Sequence, residues 1–238
     1  HNISPFNLTE AGYILEGAHK NFPKGTVHMI CVDSELTPEN KHIVIKHEES
    51  FFIGADNGVF SLIFKDIIPE NIFEINLHNS FNYKISSDDL FVKVLGHILR
   101  SGPLNVVGSK INKIKEIKNL RPVVNQEQNQ IIGSVIYIDN YGNVITNITE
   151  KLFKEISKTR SFTINARNVK FTKIYKNYSD AIDFSLDKKD REEDGKKMAI
   201  FNSLGYLQLS IYKSNPQTVG SASTLFGLNY RDPVSIYF

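Results

Sequence analysis

Cysteine is almost absent from this chain. The single residue, Cys31, excludes an intrachain disulfide framework and any cysteine-based zinc cluster. Long apolar runs are missing too: the longest are strand-sized, such as Val27–Val32, so no transmembrane helix is expected. Neither sign of charge dominates. The 28 basic residues against 26 acidic ones leave +2, too little to make nucleic acid the principal partner. The seven histidines contain no His-x-x-x-His pair, so a zinc hydrolase and a metal site are not expected. No Gly-x-Gly-x-x-Gly follows a strand, and Gly108-Ser109-Lys110 lacks the order of a phosphate loop. With no secretory signal, sequons such as those at Asn7, Asn147 and Asn177 carry no weight, and a cytoplasmic location is expected. The chain opens at His1 without a methionine, and the expectation is that its true start lies upstream.

What is present fits a folded protein. At 238 residues, 41% hydrophobic and 23% charged, the chain can bury a real core. A mean hydropathy of −0.24 is ordinary for such a chain. Asn7 to Phe22 reads as a helix capped by Asn7 or Thr9 and stopped by Phe22-Pro23-Lys24-Gly25. Thr26–Val32 reads as a buried strand ending at Asp33. Strands follow near Ile43–Lys46 and Phe51–Gly54, and Asp56-Asn57-Gly58 before Val59–Phe64 reads as a hairpin turn. Ser86-Ser87-Asp88-Asp89 caps a helix whose stripe carries Leu90, Phe91, Val94, Leu95, Ile98 and Leu99. Residues 112–130, rich in Lys, Asn and Gln, read as a linker, and β patterns dominate beyond it. Asp187–Lys197 reads as a solvated hairpin loop. The fold class expected is an N-terminal α/β domain with a Rossmann-like central sheet and flanking helices, followed by a smaller, β-rich, barrel-like C-terminal domain. The boundaries are 1–119, a linker 120–130, and 131–238.

Taken singly, the polar landmarks have ordinary structural readings. Asp33 follows a buried strand, where the carboxyl ends of strands border a ligand crevice, but an aspartate there also caps loops. His97 lies on the Leu90/Val94 side of its helix and reads as a core histidine. Asp139-Asn140-Tyr141-Gly142-Asn143 reads as a turn between Ile132–Ile138 and Val144–Ile148.

Together, and in this order, they resemble the S-adenosylmethionine hydroxide adenosyltransferase family, the superfamily that includes fluorinase and chlorinase. The match runs from His1–Ile14 through Phe22-Pro23-Lys24-Gly25-Thr26-Val27-His28, Val32-Asp33 and Gly54-Ala55-Asp56-Asn57-Gly58. It continues through Tyr137–Val144, Thr146-Asn147-Ile148 and Phe201–Leu207. The resemblance implies hydrolysis of S-adenosylmethionine to adenosine and methionine by water attack on ribose C5′, with no cofactor beyond the substrate. It also implies a homotrimer with sites between subunits. Asp33 and His97 match an Asp-Arg-His set that holds the water. Asn40 stands where that set has arginine, with Lys41 beside it. Ser87 matches the helix-start position where halogenating relatives carry serine and hydrolases commonly show Gly-Arg-Asp, here Ser87-Asp88-Asp89. For substrate, Phe6 matches the aromatic near the methionyl chain, Asp139 and Ser203 the methionyl ligands, and Tyr141 and Asn143 the adenine site. Leu204 stands where the family often has arginine. An aspartate rather than a tyrosine at position 33 favours a hydrolase over a halogenase. Two readings of other classes stand beside this one: a non-catalytic binder of adenosine or S-adenosylmethionine, and a structural trimer with a vestigial pocket.

Overall fold

The computed structural model describes residues 2–65, 67, 69–80, 85–117, 121–191 and 195–238. The chain divides into two compact units, His1–Ile117 and Lys118–Phe238. The boundary expected at 119–120 and part of the charged loop, 192–194, lie outside the described residues.

The first unit is a layered α/β structure. Five strands, β1 (Val27–Ile30), β2 (His42–His47), β3 (Ser50–Ala55), β4 (Asn71–Ile75) and β5 (Gly108–Ile111), form a sheet in the order β1-β3-β2-β4-β5. Only β1 and β3 run parallel; the other neighbours are antiparallel. Alternation along the strands splits the apolar residues between two faces. Ile43, Ile45, Phe52 and Ile72 share a cluster with Ala11 of helix α1 (Leu8–Ala18) and with Val59, Phe60 and Ile63 of α2 (Val59–Phe64). Val44, Ile53 and Ile75 pack against Leu90, Phe91, Val94 and Ile98 of α3 (Ser87–Leu99). Asn7 caps α1 by accepting the Glu10 N–H, and Ser86 caps α3 by accepting the Asp89 N–H.

Two local expectations change. Val59–Phe64 is a helix, so Asp56-Asn57-Gly58 is a strand-to-helix connection and not a hairpin turn. Six consecutive residues dominated by apolar side chains carry no period that separates strand from buried helix. What turns the chain is Gly58, at φ 102°, where an added Cβ would also meet Ile117 Cγ1 at 2.4 Å. Leu99, placed on the apolar stripe of α3, is 69% exposed because the helix ends there.

The second unit is built on a nine-stranded, nearly closed, barrel-like sheet. Its strands are β6 (Val123–Val124), β7 (Gln130–Ile138), β8 (Val144–Thr149), β9 (Thr163–Ala166), β10 (Val169–Phe171), β11 (Ile174–Tyr175), β12 (Lys197–Phe201), β13 (Tyr206–Ile211) and β14 (Pro233–Tyr237). Their order is β10-β9-β14-β7-β8-β13-β12-β11, with β6 on β7. The segment read as linker is thus partly structured: Ile114 packs on the first core, and Val123–Val124 pairs with Ile132–Ile131. Helices α4 (Glu150–Ser157) and α5 (Ala222–Phe226) complete the unit, and Ile156, Ala222 and Phe226 join its interior cluster.

The Thr146-Asn147-Ile148 string has a structural cause. Between Tyr206↔Thr149 and Gln208↔Ile145 the β8–β13 register slips, so these three residues form a bulge. Buried Thr146 donates to the Leu207 carbonyl and accepts the Ile148 N–H. Asn147 Oδ1 accepts the Ser134 N–H at 2.9 Å. Asn147→Ala leaves that donor unmet, so it should cost about 2 kcal/mol, read as a lower urea midpoint at unchanged m. A loss below about 0.5 kcal/mol would contradict this account of the bulge.

Candidate active site

The first unit gathers polar groups at one edge of its sheet. β1 and β3 are parallel with Ile30 opposite Gly54, so Asp33 and Asp56 both lie just past strand ends on that edge. His42 opens β2 opposite Ala55, and β4 reaches the same edge at Ile75, three residues before His78.

The loop after β1 is braced at three successive carbonyls. Asn57, itself buried, donates its amide to the Val32 and Asp33 carbonyls, each at 2.9 Å. His42 Nε2 lies 2.8 Å from the Ser34 carbonyl. Asp33 sits between these braces in the left-handed region, φ 48°, which costs a non-glycine residue about 1 kcal/mol or more.

Asn40 lies on the same loop, its N–H held by Thr37 Oγ1. The cation that reaches its side chain is not Lys41 but Lys115, whose Nζ donates to Asn40 Oδ1 at 2.9 Å. The Lys115 backbone N–H donates to Asp56 Oδ1 at 2.8 Å, so the segment after β5 closes over this edge. Burial pushes the Asp56 carboxyl above the usual carboxylate range, the Lys115 N–H and charge pull it back, and Glu74 pushes it up again.

Ser87 begins α3 on this side of the sheet. Asp88 of the same turn acts on Cys31, whose thiol is raised by burial and by that carboxylate. Asp88 and Asp89 occupy the first turn, and the Asp89 N–H is already taken by Ser86 Oγ. An anion at this helix start would meet two carboxylates.

His97 is not brought to Asp33. It lies ten residues after Ser87 on one helix, about 15 Å along the axis at 1.5 Å per residue. Its end of α3 lies over the opposite edge of the sheet, where Ile98 and residues 101–104 line an open cleft with Lys46 and Phe51. There His97 Nε2 is 3.0 Å from the Pro103 carbonyl, closing the helix C-terminus. The helix spacing that turned His97 inward said nothing about which end of the sheet it meets. Phe6, at φ 60° and 77% exposed, precedes α1, while nearby Ile3 and Leu8 pack on the cluster that also holds Val32.

In the second unit the predicted residues fall on two turns of one design. Asp139 Oδ1 accepts the N–H groups of Tyr141 and Asn143, both at 2.9 Å, and Asp139 Oδ2 accepts the Asn143 amide at 2.8 Å. Asn202 Oδ1 accepts the N–H groups of Leu204 and Tyr206, at 3.0 and 3.1 Å. Each turn places a glycine at positive φ, Gly142 at 72° and Gly205 at 75°. Tyr141 is 70% exposed, Asn143 is buried and Ser203 is exposed. The turns stand at opposite ends of the β8–β13 ladder, since Leu209 pairs with Val144 and Tyr206 with Thr149. Asp139 and Ser203 therefore flank that ladder from its two ends. Three of the roughly four acceptor positions of the Asp139 carboxylate are used within its turn.

Several residues of this region escaped the sequence reading. Asn57 stands in a string with turn chemistry, and Lys115 lies in a Lys-rich stretch 75 positions from its partner. His42 and His78 lie 36 residues apart, and no local pattern pairs them. Among the described residues, no group of three or more His, Cys, Asp or Glu could hold a metal ion, and no helix is long and apolar enough to cross a membrane.

Comparison with known proteins agrees with the motif order. Residues 1–108 match the SAM hydroxide adenosyltransferase N-terminal domain, and residues 133–235 match the C-terminal domain of that family. The (R)-S-adenosyl-L-methionine hydrolase of Methanocaldococcus jannaschii is 27% identical over the whole chain and 81% of its own length. A crystal structure of an uncharacterized conserved protein from Thermotoga maritima aligns at TM-score 0.77 and 26% identity, over all of this chain and 87% of that one. A conserved hypothetical protein from Thermus thermophilus shares the fold at TM-score 0.67 and 18% identity, over 99% and 84% of the two chains.

The Asp56 environment yields a pH test. Its folded pKa is raised, so the stability it contributes is present below the unfolded carboxyl pKa and lost as pH rises through the folded one. Asp56→Asn keeps an acceptor for the Lys115 N–H but cannot ionise. It should raise the melting temperature near neutral pH, with the gain closing as pH falls through the carboxylate range. A gain that does not change with pH would contradict the assigned cause.

Proposed function

The chain belongs to the SAM hydroxide adenosyltransferase family, and from that premise we propose that it hydrolyses S-adenosyl-L-methionine to adenosine and L-methionine. The name of the Methanocaldococcus relative specifies the R sulfonium, and the proposal extends to that epimer. A sulfonium is already an activated leaving group. The protein's task is therefore to align a water with the C5′–S bond and strip it of competing solvent. The water oxygen bonds to C5′ as the C5′–S bond breaks, the bonding pair stays on sulfur, and methionine leaves as a neutral thioether. The water's proton passes to the Asp33 carboxylate and then to solvent.

The observation that carries this reading is the bracing of the Asp33 loop, with three successive carbonyls tied by Asn57 and His42. Such bracing holds a carboxylate in a strained backbone conformation, as a fixed proton acceptor requires. Lys115, through Asn40, supplies a positive charge to the same loop. Water is favoured over a halide because Asp88 and Asp89 stand at the α3 start. In this proposal Tyr141 and Asn143 hold the adenine on the turn that Asp139 shapes, and Ser203, at the other end of the β8–β13 ladder, holds the methionyl group, with Phe6 beside the methionyl chain and Leu204 giving no charge to the carboxylate; one methionyl group does not span Asp139 and Ser203 of the same ladder. His97 has no part in the reacting centre. The homotrimer and the completion of sites between subunits belong to the same proposal.

A second reading, a non-catalytic binder, is favoured by one feature: an amide at position 40 offers no guanidinium fork to a ligand or water. Chromatographic measurement of adenosine released from S-adenosylmethionine separates the two. The wild type should turn over, Asp33→Asn should lose about 10²- to 10⁴-fold in kcat, and His97→Ala should stay within about threefold. Binding without turnover in the wild type would favour the binder, and full activity in Asp33→Asn would remove Asp33 from the mechanism.

A further inference from the structure

At the polar edge of the first sheet, His42 of β2 meets His78, which lies in the short 3-10 turn Leu77–Ser80 just past β4. His42 is 1% exposed, with Nδ1 2.9 Å from His78 Nε2 and Nε2 2.8 Å from the Ser34 carbonyl. A carbonyl oxygen only accepts, so His42 must carry its hydrogen on Nε2. A neutral His42 then accepts at Nδ1, and His78 must donate from Nε2. Phe91 of α3 packs edge-on against His42, ring centroids 4.8 Å apart, which holds the imidazole plane.

We infer that His78 is a positioning residue: by donating to His42 Nδ1 it locks the Nε2–H tautomer of His42, which in turn ties the Ser34 carbonyl and fixes the backbone beside Asp33. Without that donor, the Nδ1–H tautomer becomes available, and it turns an Nε2 lone pair toward the Ser34 carbonyl. The brace then becomes a repulsion, one residue from the carboxylate.

Burial opposes a charge on either ring and so favours the neutral, directional pair. Burial lowers the pKa of both rings; Lys41 lowers that of His78 further, while Glu74 and the Ile75 carbonyl act against it. On His42 the Ser34 carbonyl raises and His78 lowers. A proton added to His42 Nδ1 would face the His78 N–H and break the bond between the rings.

The lock itself is independent of the reaction, whereas its effect on turnover rests on the hydrolytic reading. The test uses the full chain labelled with nitrogen-15 at histidine. Long-range proton–nitrogen correlations should show His42 protonated at Nε2 and bare at Nδ1. His78→Gln keeps an N–H donor for His42, and His78→Leu removes it. The leucine variant should lose the fixed tautomer and about tenfold in kcat, with KM within about twofold, and the glutamine variant should recover kcat to within about threefold of wild type. A wild-type His42 protonated at Nδ1 would overturn the inference. So would a leucine variant that loses the tautomer yet keeps its kcat, or a glutamine variant as slow as leucine. If the wild type releases no adenosine, the hydrolytic reading fails, and the nitrogen spectra still decide the lock.

Discussion

One amide side chain holds the polar edge of the first unit together. Asn57 donates to the carbonyls of Val32 and Asp33 while its own oxygen accepts the Val59 N–H at 3.2 Å. It thereby joins the end of β1 to the start of α2, two pieces of chain 24 or 25 residues apart. Its burial makes the arrangement demanding, since an unmet amide in that position would cost about 1–3 kcal/mol. Without Asn57 the loop that carries Asp33 would lose two of its three braces and keep only that of His42 on the Ser34 carbonyl. The Asp56–Lys115–Asn40 contacts, which start from the adjoining residue, would lose their frame as well.

The second unit solves a similar problem with backbone and not with long-range side chains. Its turns after β7 and β12 use one rule: an Asx oxygen accepts the N–H groups two and four residues on, and a glycine follows at positive φ. Rigid turns of this kind present Tyr141 and Ser203 outward while the Asx side chains are spent inside the turn. The charge on Asp139 is therefore partly committed before any ligand arrives.

Much of the fold was legible because its signals are local. The caps at Asn7 and Ser86, the period of α3, and the alternating strands of the second unit all follow from neighbours within a few residues. Motif order pointed to the family, which needs no geometry. The failures share one physical cause: they depend on contacts distant in sequence. Val59–Phe64 becomes a helix because of Gly58 and of Asn57, whose amide is anchored to the β1 loop. His97 is half-buried, in keeping with its spacing, but only the direction in which α3 crosses the sheet shows that it lies far from Asp33. Lys115 and the His42–His78 pair are set by topology, and no spacing announces either.

The central claim is that the edge carrying Asp33 directs water to the ribose carbon of S-adenosylmethionine. The most direct measurement is turnover in oxygen-18 water with mass analysis of both products. Label in the 5′-hydroxyl of adenosine, with unlabelled methionine, is the predicted result. Adenosine formed without label would contradict water attack at C5′, and with it the role given to the Asp33 loop.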